Sequence, residues 1–194
     1  MVCRFARFLP FDVFIEAFIV KESTCMPNTM NLFLRFLPFF IRLLKLDLFK
    51  ARSLTTGEID LCRSVFGNLI NYEQVKIMNQ PYLPWQHAYI FMAPQGNIHS
   101  KNSIYREDYS KENINFQAIF IHEMTHILQH QKNINVLLQG TLLQSAYYLS
   151  FKYYNPYKYQ LIKGKSFWTY NIEQQGDIAR DIFLKRIPNI ILEN

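Results

Sequence analysis

Residues 113–132 read NINFQAIFIHEMTHILQHQK and contain the clearest helical pattern of the 194-residue chain. Ser110 or Asn113 can cap the start, because a short polar side chain accepts hydrogen bonds from the first free amides of a helix. The apolar residues that recur at helical spacing are Ile121, Met124, Ile127 and Leu128. We therefore predict a helix that turns this apolar stripe towards the protein core.

The centre of this stretch contains the motif His-Glu-Met-Thr-His at residues 122–126. Positions four residues apart in a helix differ by about 40° of rotation and about 6 Å of rise, so His122 and His126 can reach one metal ion. Glu123 can take a proton from a water that is bound to zinc. We therefore predict a zinc site with two histidine ligands and Glu123 as general base. The alternative, two surface histidines, is disfavoured by the apolar residues that flank the motif.

A catalytic zinc ion usually has three protein ligands and one open position. His130 lies eight residues after His122, about 12 Å further along the same helix, so we predict that it lies at the surface or behind the ligands. The extended pattern HExxHxxGxxH would need glycine at 129 and histidine at 132, where this chain has Gln129 and Lys132. The third ligand is therefore expected from another part of the chain.

Residues 171–177 read NIEQQGD and begin another predicted helix. Glu173 falls in its first turn, and Asp177 lies one turn later on the same face. Glu173 can be the third zinc ligand, while Asp177 can accept the outward N–H of a ligating histidine and fix its tautomer. The alternative is that Glu173 only complements the helix dipole and that Asp177 pairs with Arg180 or Lys185.

The remaining patterns predict an α+β, mainly helical fold with a small β-hairpin or sheet. Helical patterns occupy residues 58–66, 113–132, 136–148 and 171–186. Asn171 and Gln174 have the spacing of a capping box at the start of the last helix. Apolar residues on both sides of a Pro/Gly turn at 94–97 predict a β-hairpin over 88–100, whose edge could pair with an extended peptide.

The chain divides by composition at about residue 53, into an apolar basic segment over 1–53 and a main domain over 54–194. Residues 32–49 read LFLRFLPFFIRLLKLDLF, and their cationic residues fall on one helical face: Arg35, Arg42 and Lys45. Such a helix could contact a membrane surface through residues 31–50, dock on a partner, or pack on the main domain.

Composition limits the class of protein. Hydrophobic residues make up 49% of the chain and charged residues 19%, which is typical of a globular protein. The formal net charge is +6, but there is no block of five Lys or Arg and no nucleic-acid-binding motif, so we predict no nucleic-acid partner. Three scattered cysteines, Cys3, Cys25 and Cys62, predict reduced thiols. We expect synthesis in the cytoplasm without a cleaved signal peptide.

Two segments, FIHEMTHILQHQ at 120–131 and YNIEQQGDIARD at 170–181, resemble the zinc-metallopeptidase toxin domain found at the C-termini of VgrG and Rhs proteins, which are type VI secretion effectors. The resemblance extends to LTTGEIDLCRSVFG, YLPWQ and APQGNIHS upstream, and covers roughly residues 54–186. In that family the ligands are the two histidines of HExxH and the later glutamate. The resemblance therefore implies a zincin-like fold in which His122, His126 and Glu173 bind one Zn²⁺ and Glu123 is the base.

The resemblance also implies a biological role. It suggests a zinc-dependent hydrolase of peptide bonds in a polypeptide substrate, in which the zinc-bound water attacks the scissile carbonyl. It suggests antibacterial action, delivery by a VgrG, Rhs or other spike carrier into the periplasm or cytosol of a target cell, and a cognate immunity protein. Because this chain contains no spike or shell, it would travel as cargo or as a detached module. The alternatives are a zinc amidase that acts on peptidoglycan and a non-catalytic, zinc-stabilised binding module.

Overall fold

The computed structural model describes residues 28–43 and 48–192, with the backbone alone for 28–34. Contacts divide the chain into two compact units, residues 1–49 and 50–194. In the first unit, helix α1 spans Asn28–Leu43 and continues through Pro38. The helix predicted over 32–49 thus begins four residues earlier than expected, and Phe49 lies in irregular backbone. Lys45 lies outside the described residues, and the predicted membrane contact of 31–50 stays a prediction.

The second unit is mainly helical with one small sheet, so the predicted α+β class is confirmed. Its helices are α2 (Thr56–Phe66), α3 (Ile114–Gln131), α4 (Val136–Leu149) and α5 (Ile172–Phe183). Its strands are β1 (Ala51–Ser53), β2 (Lys76–Met78) and β3 (Ile98–His99). Short 3-10 turns occupy Tyr72–Gln74, Tyr109–Lys111 and Phe167–Thr169. No described helix is both long enough and apolar enough to cross a lipid bilayer.

The sheet has the order β1-β2-β3, in which β1 is antiparallel and β3 is parallel to the central strand. The predicted hairpin over 88–100 is wrong in detail. Met92 and His99 exchange both backbone hydrogen bonds, at 3.0 and 2.8 Å, but residues 88–89 form a turn and residues 90–91 have irregular backbone. The buried Gln86 amide donates to the Ile90 carbonyl at 2.7 Å, so this carbonyl is already paired without a strand. His99 has backbone partners on both sides, Met78 and Met92, whereas pairing of an extended peptide along the Met92 segment stays a prediction.

Helix α3 forms the centre of the core, as its pattern predicts. All four residues of its apolar stripe are fully buried: Ile121, Met124, Ile127 and Leu128. Asn113 is the N-cap, since its side chain accepts hydrogen bonds from the amides of residues 115 and 116. Helix α5 packs against α3 and begins with the predicted capping box of Asn171 and Gln174. This packing brings the first turn of α5 next to the histidine motif.

A buried ion pair joins the sheet to the segment that leads into α3. Glu58 is fully buried and binds the Arg52 guanidinium through both carboxylate oxygens, at 2.7 and 2.8 Å. It also accepts hydrogen bonds from the amides of Thr55 and Tyr109, each at 2.8 Å. Four hydrogen bonds therefore satisfy this carboxylate, which is the condition under which a buried charge is tolerated.

Candidate metal centre

Three predicted ligands from two helices meet at one point. His122 and His126 lie one turn apart on α3, and Glu173 lies in the first turn of α5. Glu173 Oε2 lies 3.5 Å from His122 Nε2 and 3.9 Å from His126 Nε2, and the three donor atoms lie within 4.8 Å of one another. Tetrahedral zinc with ligands at about 2.0–2.2 Å places its donors about 3.4 Å apart. Two imidazole nitrogens and one carboxylate oxygen at these separations fit zinc.

The protonation of His122 is set by Asp177. Nδ1 of His122 lies 3.1 Å from Asp177 Oδ1. An ionised carboxylate only accepts hydrogen bonds, so Nδ1 carries a hydrogen. Nε2 is then the nitrogen that faces Glu173 and is available to a metal ion. Arg180 Nη1 binds the same Asp177 oxygen at 2.7 Å, so both interactions considered for this aspartate occur together.

The orientation of His126 is set by Gln129. The Gln129 amide nitrogen donates to the Ile172 carbonyl at 3.0 Å and to Gln175 Oε1 at 2.9 Å. Its oxygen therefore faces His126 and lies 2.8 Å from Nδ1. Because this oxygen can only accept, Nδ1 of His126 also carries a hydrogen, and its Nε2 also points towards Glu173.

Gln129 and Gln175 belong to the surroundings of the clustered ligands, and the sequence patterns do not reveal them. Both are buried, and the Gln175 amide nitrogen donates to the Tyr170 carbonyl at 2.8 Å. The Gln129–Gln175 pair thus joins the histidine helix to the glutamate helix directly behind the ligands. The only sequence signal is the position of Gln129, three residues after His126, where a helix places neighbouring side chains.

Electrostatics at this point favour a positive charge. Burial by itself would lower the pKa of His122, but hydrogen bonds with Asp177 and Glu173, and the charge of Glu123, raise it to about 10. Burial would raise the pKa of Glu173, but the hydrogen bond with His122 and the charges of both histidines lower it. The carboxylates therefore stabilise a cation at Nε2 of His122, whether a proton or a metal ion.

Glu123 follows His122 in the chain, and its environment differs from that of the ligands. It is only 8% exposed, and burial raises its pKa more than the charges of His126 and His122 lower it. Within the described part of the chain, no hydrogen bond or ion pair occupies its carboxylate. It is therefore a buried carboxylate of increased basicity that is free to exchange a proton.

Gly176 permits the close approach of α5 to His122. A Cβ atom at this position would lie 2.5–2.8 Å from three atoms of the His122 ring. Such distances are well inside van der Waals contact, so the ring packs directly on the glycine backbone. The sequence contains this glycine between Gln175 and Asp177, but its role becomes visible only once the two helices are packed together.

Gly176→Ala is expected to lower zinc affinity by about 10- to 100-fold, because the added methyl group displaces an oriented ligand. Competition with a chromophoric chelator measures this affinity. Gly140→Ala on α4 is the matched control, since its Cβ would meet Ile172 and Glu173 at ordinary distances of 3.8 and 3.9 Å. The control should keep its zinc and gain about 0.5–1 kcal/mol in free energy of unfolding. Wild-type affinity in Gly176→Ala would contradict this role of the glycine.

His130 does not join the ligands. It is exposed, and its ring packs near Gly96, where a Cβ atom would meet His130 at 2.8 Å. Gly96 has φ +79°, a conformation that glycine adopts without strain. His130 therefore lies at the surface, as the helical rise predicts.

The chain is similar to a solved structure, the effector domain of Pseudomonas aeruginosa VgrG2b. The two are 42% identical, with a TM-score of 0.64, and the match covers 73% of this chain and 78% of that domain. The chain belongs to the VgrG2b effector-domain family. The predicted resemblance to a domain of VgrG effectors is thereby confirmed. No protein-family model matches the chain.

A curated relative places the VgrG2b effector domain within a larger protein. The type VI secretion system spike protein VgrG2b of Pseudomonas aeruginosa is 44% identical to this chain over 137 residues. The match covers 70% of this chain but 13% of the spike protein, so the chain spans only a small part of that relative's length.

Proposed function

We propose that the chain is a zinc-dependent peptide-bond hydrolase that acts as a type VI secretion effector. The observation that supports this most strongly is the convergence of two oriented Nε2 atoms on the Glu173 carboxylate, beside the uncommitted carboxylate of Glu123. A purely structural zinc site is normally closed by four protein ligands. Among the described residues, three ligand-type side chains form this cluster.

His122, His126 and Glu173 would hold the zinc ion. When bound, zinc supplies Lewis acidity, which makes water easier to deprotonate and polarises a carbonyl group. Glu123 takes a proton from the attacking water and passes it to the nitrogen of the leaving amine. Its raised pKa suits both steps, since the same carboxylate first accepts a proton and then returns it.

Tyr157 is the residue that we propose as hydrogen-bond donor to the oxyanion. The Asn171 side chain donates to the Pro156 carbonyl at 3.0 Å, and the Gln174 side chain donates to the Lys158 carbonyl at 2.8 Å. Both sides of Tyr157 are therefore bound to the turn of α5 that contains Glu173. Partial burial and the charges of Glu173 and other nearby carboxylates raise the Tyr157 pKa to about 12, so its proton stays on the oxygen at neutral pH.

Tyr157→Phe is expected to lower kcat by about 10- to 1,000-fold, because a donor to the developing negative charge is lost. Zinc content and KM should change little, since the phenol is neither a ligand nor a main substrate contact in this proposal. The control is Tyr154→Phe, which removes the hydroxyl of another exposed tyrosine in the same segment. Equal activity of the two variants would exclude the oxyanion role.

The relatives also suggest how the chain would be delivered. VgrG2b is a type VI secretion spike protein, so we propose that this chain travels with a VgrG or Rhs carrier into the periplasm or cytosol of a target cell. There it would cleave a polypeptide substrate, and a cognate immunity protein would protect the producing cell.

The proposed reaction can be tested with the purified chain. We expect about one zinc per chain by elemental analysis and new amino termini in an unfolded protein substrate. Chelation should abolish the cleavage, and added zinc should restore it. Release of fragments from purified sacculi without cleavage of unfolded protein would instead identify a peptidoglycan amidase. Tightly bound zinc without hydrolysis of either would identify a binding module.

A further inference from the structure

The two histidines of the metal centre are held by partners of different chemistry. His122 Nδ1 lies against an Asp177 oxygen, and an ionised carboxylate accepts hydrogen bonds through either oxygen. His126 Nδ1 lies against the side-chain oxygen of Gln129. An amide accepts at one end and donates at the other, so reversal of Gln129 would present a donor to the same imidazole nitrogen. The position of the hydrogen on His126 therefore depends on what holds Gln129 in one orientation.

Two acceptors behind Gln129 hold its amide in that orientation. Its nitrogen donates to the Ile172 carbonyl at 3.0 Å and to Gln175 Oε1 at 2.9 Å. Reversal would replace both hydrogen bonds by oxygen–oxygen contacts at these distances. Gln129 and Gln175, which we call the amide pair, are 0 and 2% exposed. Solvent water therefore would not replace the lost hydrogen bonds, and reversal is costly.

The orientation of Gln175 is fixed in turn by the backbone. Its nitrogen donates to the Tyr170 carbonyl at 2.8 Å, and a carbonyl oxygen can only accept. Gln175 Oε1 is therefore the atom that faces the nitrogen of Gln129. Two backbone acceptors, the carbonyls of Tyr170 and Ile172, thus set the direction of the whole chain of hydrogen bonds, and each bond in such a chain strengthens the next.

We propose that Gln175 is a positioning residue for the metal ligand His126 and acts on it through Gln129. With the amide pair oriented by the backbone, the hydrogen of His126 is kept on Nδ1, and the free Nε2 faces Glu173. A reversed Gln129 would favour the hydrogen on Nε2, where it excludes a metal ion. Replacing residues that orient a ligand in this way typically changes metal affinity by about 10- to 100-fold.

The amide pair also connects two of the three ligands. Both backbone acceptors flank Asn171, the N-cap of α5, and Ile172 directly precedes Glu173. The turn that provides the glutamate ligand therefore also fixes the nitrogen that His126 offers. This histidine is prepared for a metal ion only when the turn is packed against α3. A consequence for catalysis rests on the proposed hydrolase function, whereas the orientation itself requires neither zinc nor substrate.

The first test is nuclear magnetic resonance of the metal-free full chain, because bound zinc would itself fix the tautomer. Long-range ¹H–¹⁵N spectra at about pH 8 distinguish the two neutral forms of an imidazole. We expect the hydrogen of His126 on Nδ1 in the wild type. We expect a mixture of both forms in Gln175→Met, which keeps the length of the side chain but removes its acceptor. A hydrogen on Nε2 of the wild-type His126 would overturn the proposal without any variant.

Zinc affinity, measured by chelator competition at constant pH, gives a second test. Gln175→Met should bind zinc about tenfold more weakly than the wild type, and Gln129→Met about 10- to 100-fold more weakly. Because Gln175 acts only through Gln129, the double variant should bind zinc as Gln129→Met alone does. Losses that multiply in the double variant would contradict the proposal, as would wild-type affinity in Gln175→Met.

Gln175→Glu separates positioning from a general effect on stability. The new side chain keeps an acceptor for Gln129, but it introduces an acidic group at a buried site and removes the donor to the Tyr170 carbonyl. We expect a lower melting temperature, with the hydrogen of His126 still on Nδ1 and zinc affinity above that of Gln175→Met. Stability and zinc affinity should therefore change in different orders in the two variants.

Gln117→Met is the matched control, near the start of the same helix as Gln129. The Gln117 side chain also donates two hydrogen bonds, to the Ser110 and Glu112 carbonyls at 2.8 Å each, and it is not part of the ligand cluster. It should lower the melting temperature alone. If zinc affinity follows melting temperature across these four substitutions, Gln175 is only a packing residue and the proposal fails. A chain that binds zinc without hydrolysis would refute the proposed function but leave all these expectations in force.

Discussion

Glu123→Gln is expected to reduce kcat on an unfolded protein substrate by about 10²–10⁴-fold, the usual contribution of a general base. Glutamine keeps the shape of the side chain but cannot accept the proton of the attacking water. Because Glu123 is not among the three clustered ligand atoms, zinc content should stay at the wild-type level. Initial rates of amino-terminus release and elemental analysis on the same preparation measure the two quantities.

Glu107→Gln is a matched control for this substitution. Glu107 is exposed, and its contacts are a surface ion pair with Lys50 at 2.7 Å and a hydrogen bond from the Tyr105 hydroxyl at 3.4 Å. Their loss should leave both activity and zinc unchanged. Full activity in Glu123→Gln would exclude the proposed proton transfer. Loss of zinc in the same variant would show that the carboxylate is needed to bind the metal.

Glu173→Ala is expected to weaken zinc binding by about 10³-fold or more. Apparent binding free energies of about 10–16 kcal/mol are shared among a few ligands, so loss of one ligand removes a large part of the total. The two histidines would remain oriented by Asp177 and Gln129, because neither contact involves Glu173. Chelator competition at constant pH measures the affinity, and activity should fall in parallel.

Asp181→Asn on the same helix is the control for Glu173→Ala. Asp181 binds Arg186 at 3.0 Å, lies 3.9 Å from Arg180 and accepts a hydrogen bond from Tyr159, and it is not among the three clustered ligand residues. We expect unchanged zinc affinity, with any effect limited to the free energy of unfolding. Wild-type affinity in Glu173→Ala would place the third ligand elsewhere.

The two substitutions together separate the proposed enzyme from a binding module. An enzyme loses activity in Glu123→Gln while it keeps zinc, and loses both in Glu173→Ala. In a zinc-stabilised binding module, Glu123→Gln would have no functional consequence. The same comparison applies to a peptidoglycan amidase, in which the pattern would be measured on sacculi.

The hairpin predicted over 88–100 shows what a local sequence pattern does not contain. The apolar alternation over 88–92 is typical of a strand, but the backbone turns at 88–89, and the Gln86 side chain, four residues earlier in the chain, pairs with the Ile90 carbonyl. The main strand partner of β3 is β2, a different part of the chain. Strand pairing depends on which segments the fold brings together, and a local pattern does not contain that information.

The amino-acid sequence by itself determined the histidine helix, its cap, its buried stripe and the separation of His122 from His126, because helical geometry is local and repeats every few residues. It also indicated Glu173 and Asp177, through the spacing of the later helix. Only the tertiary structure decided that Gln129 and Gln175, 46 residues apart, bind each other behind the ligands, and that Gly176 lets an imidazole pack on its backbone. These contacts depend on how closely α3 and α5 approach, a distance set by packing of the whole core.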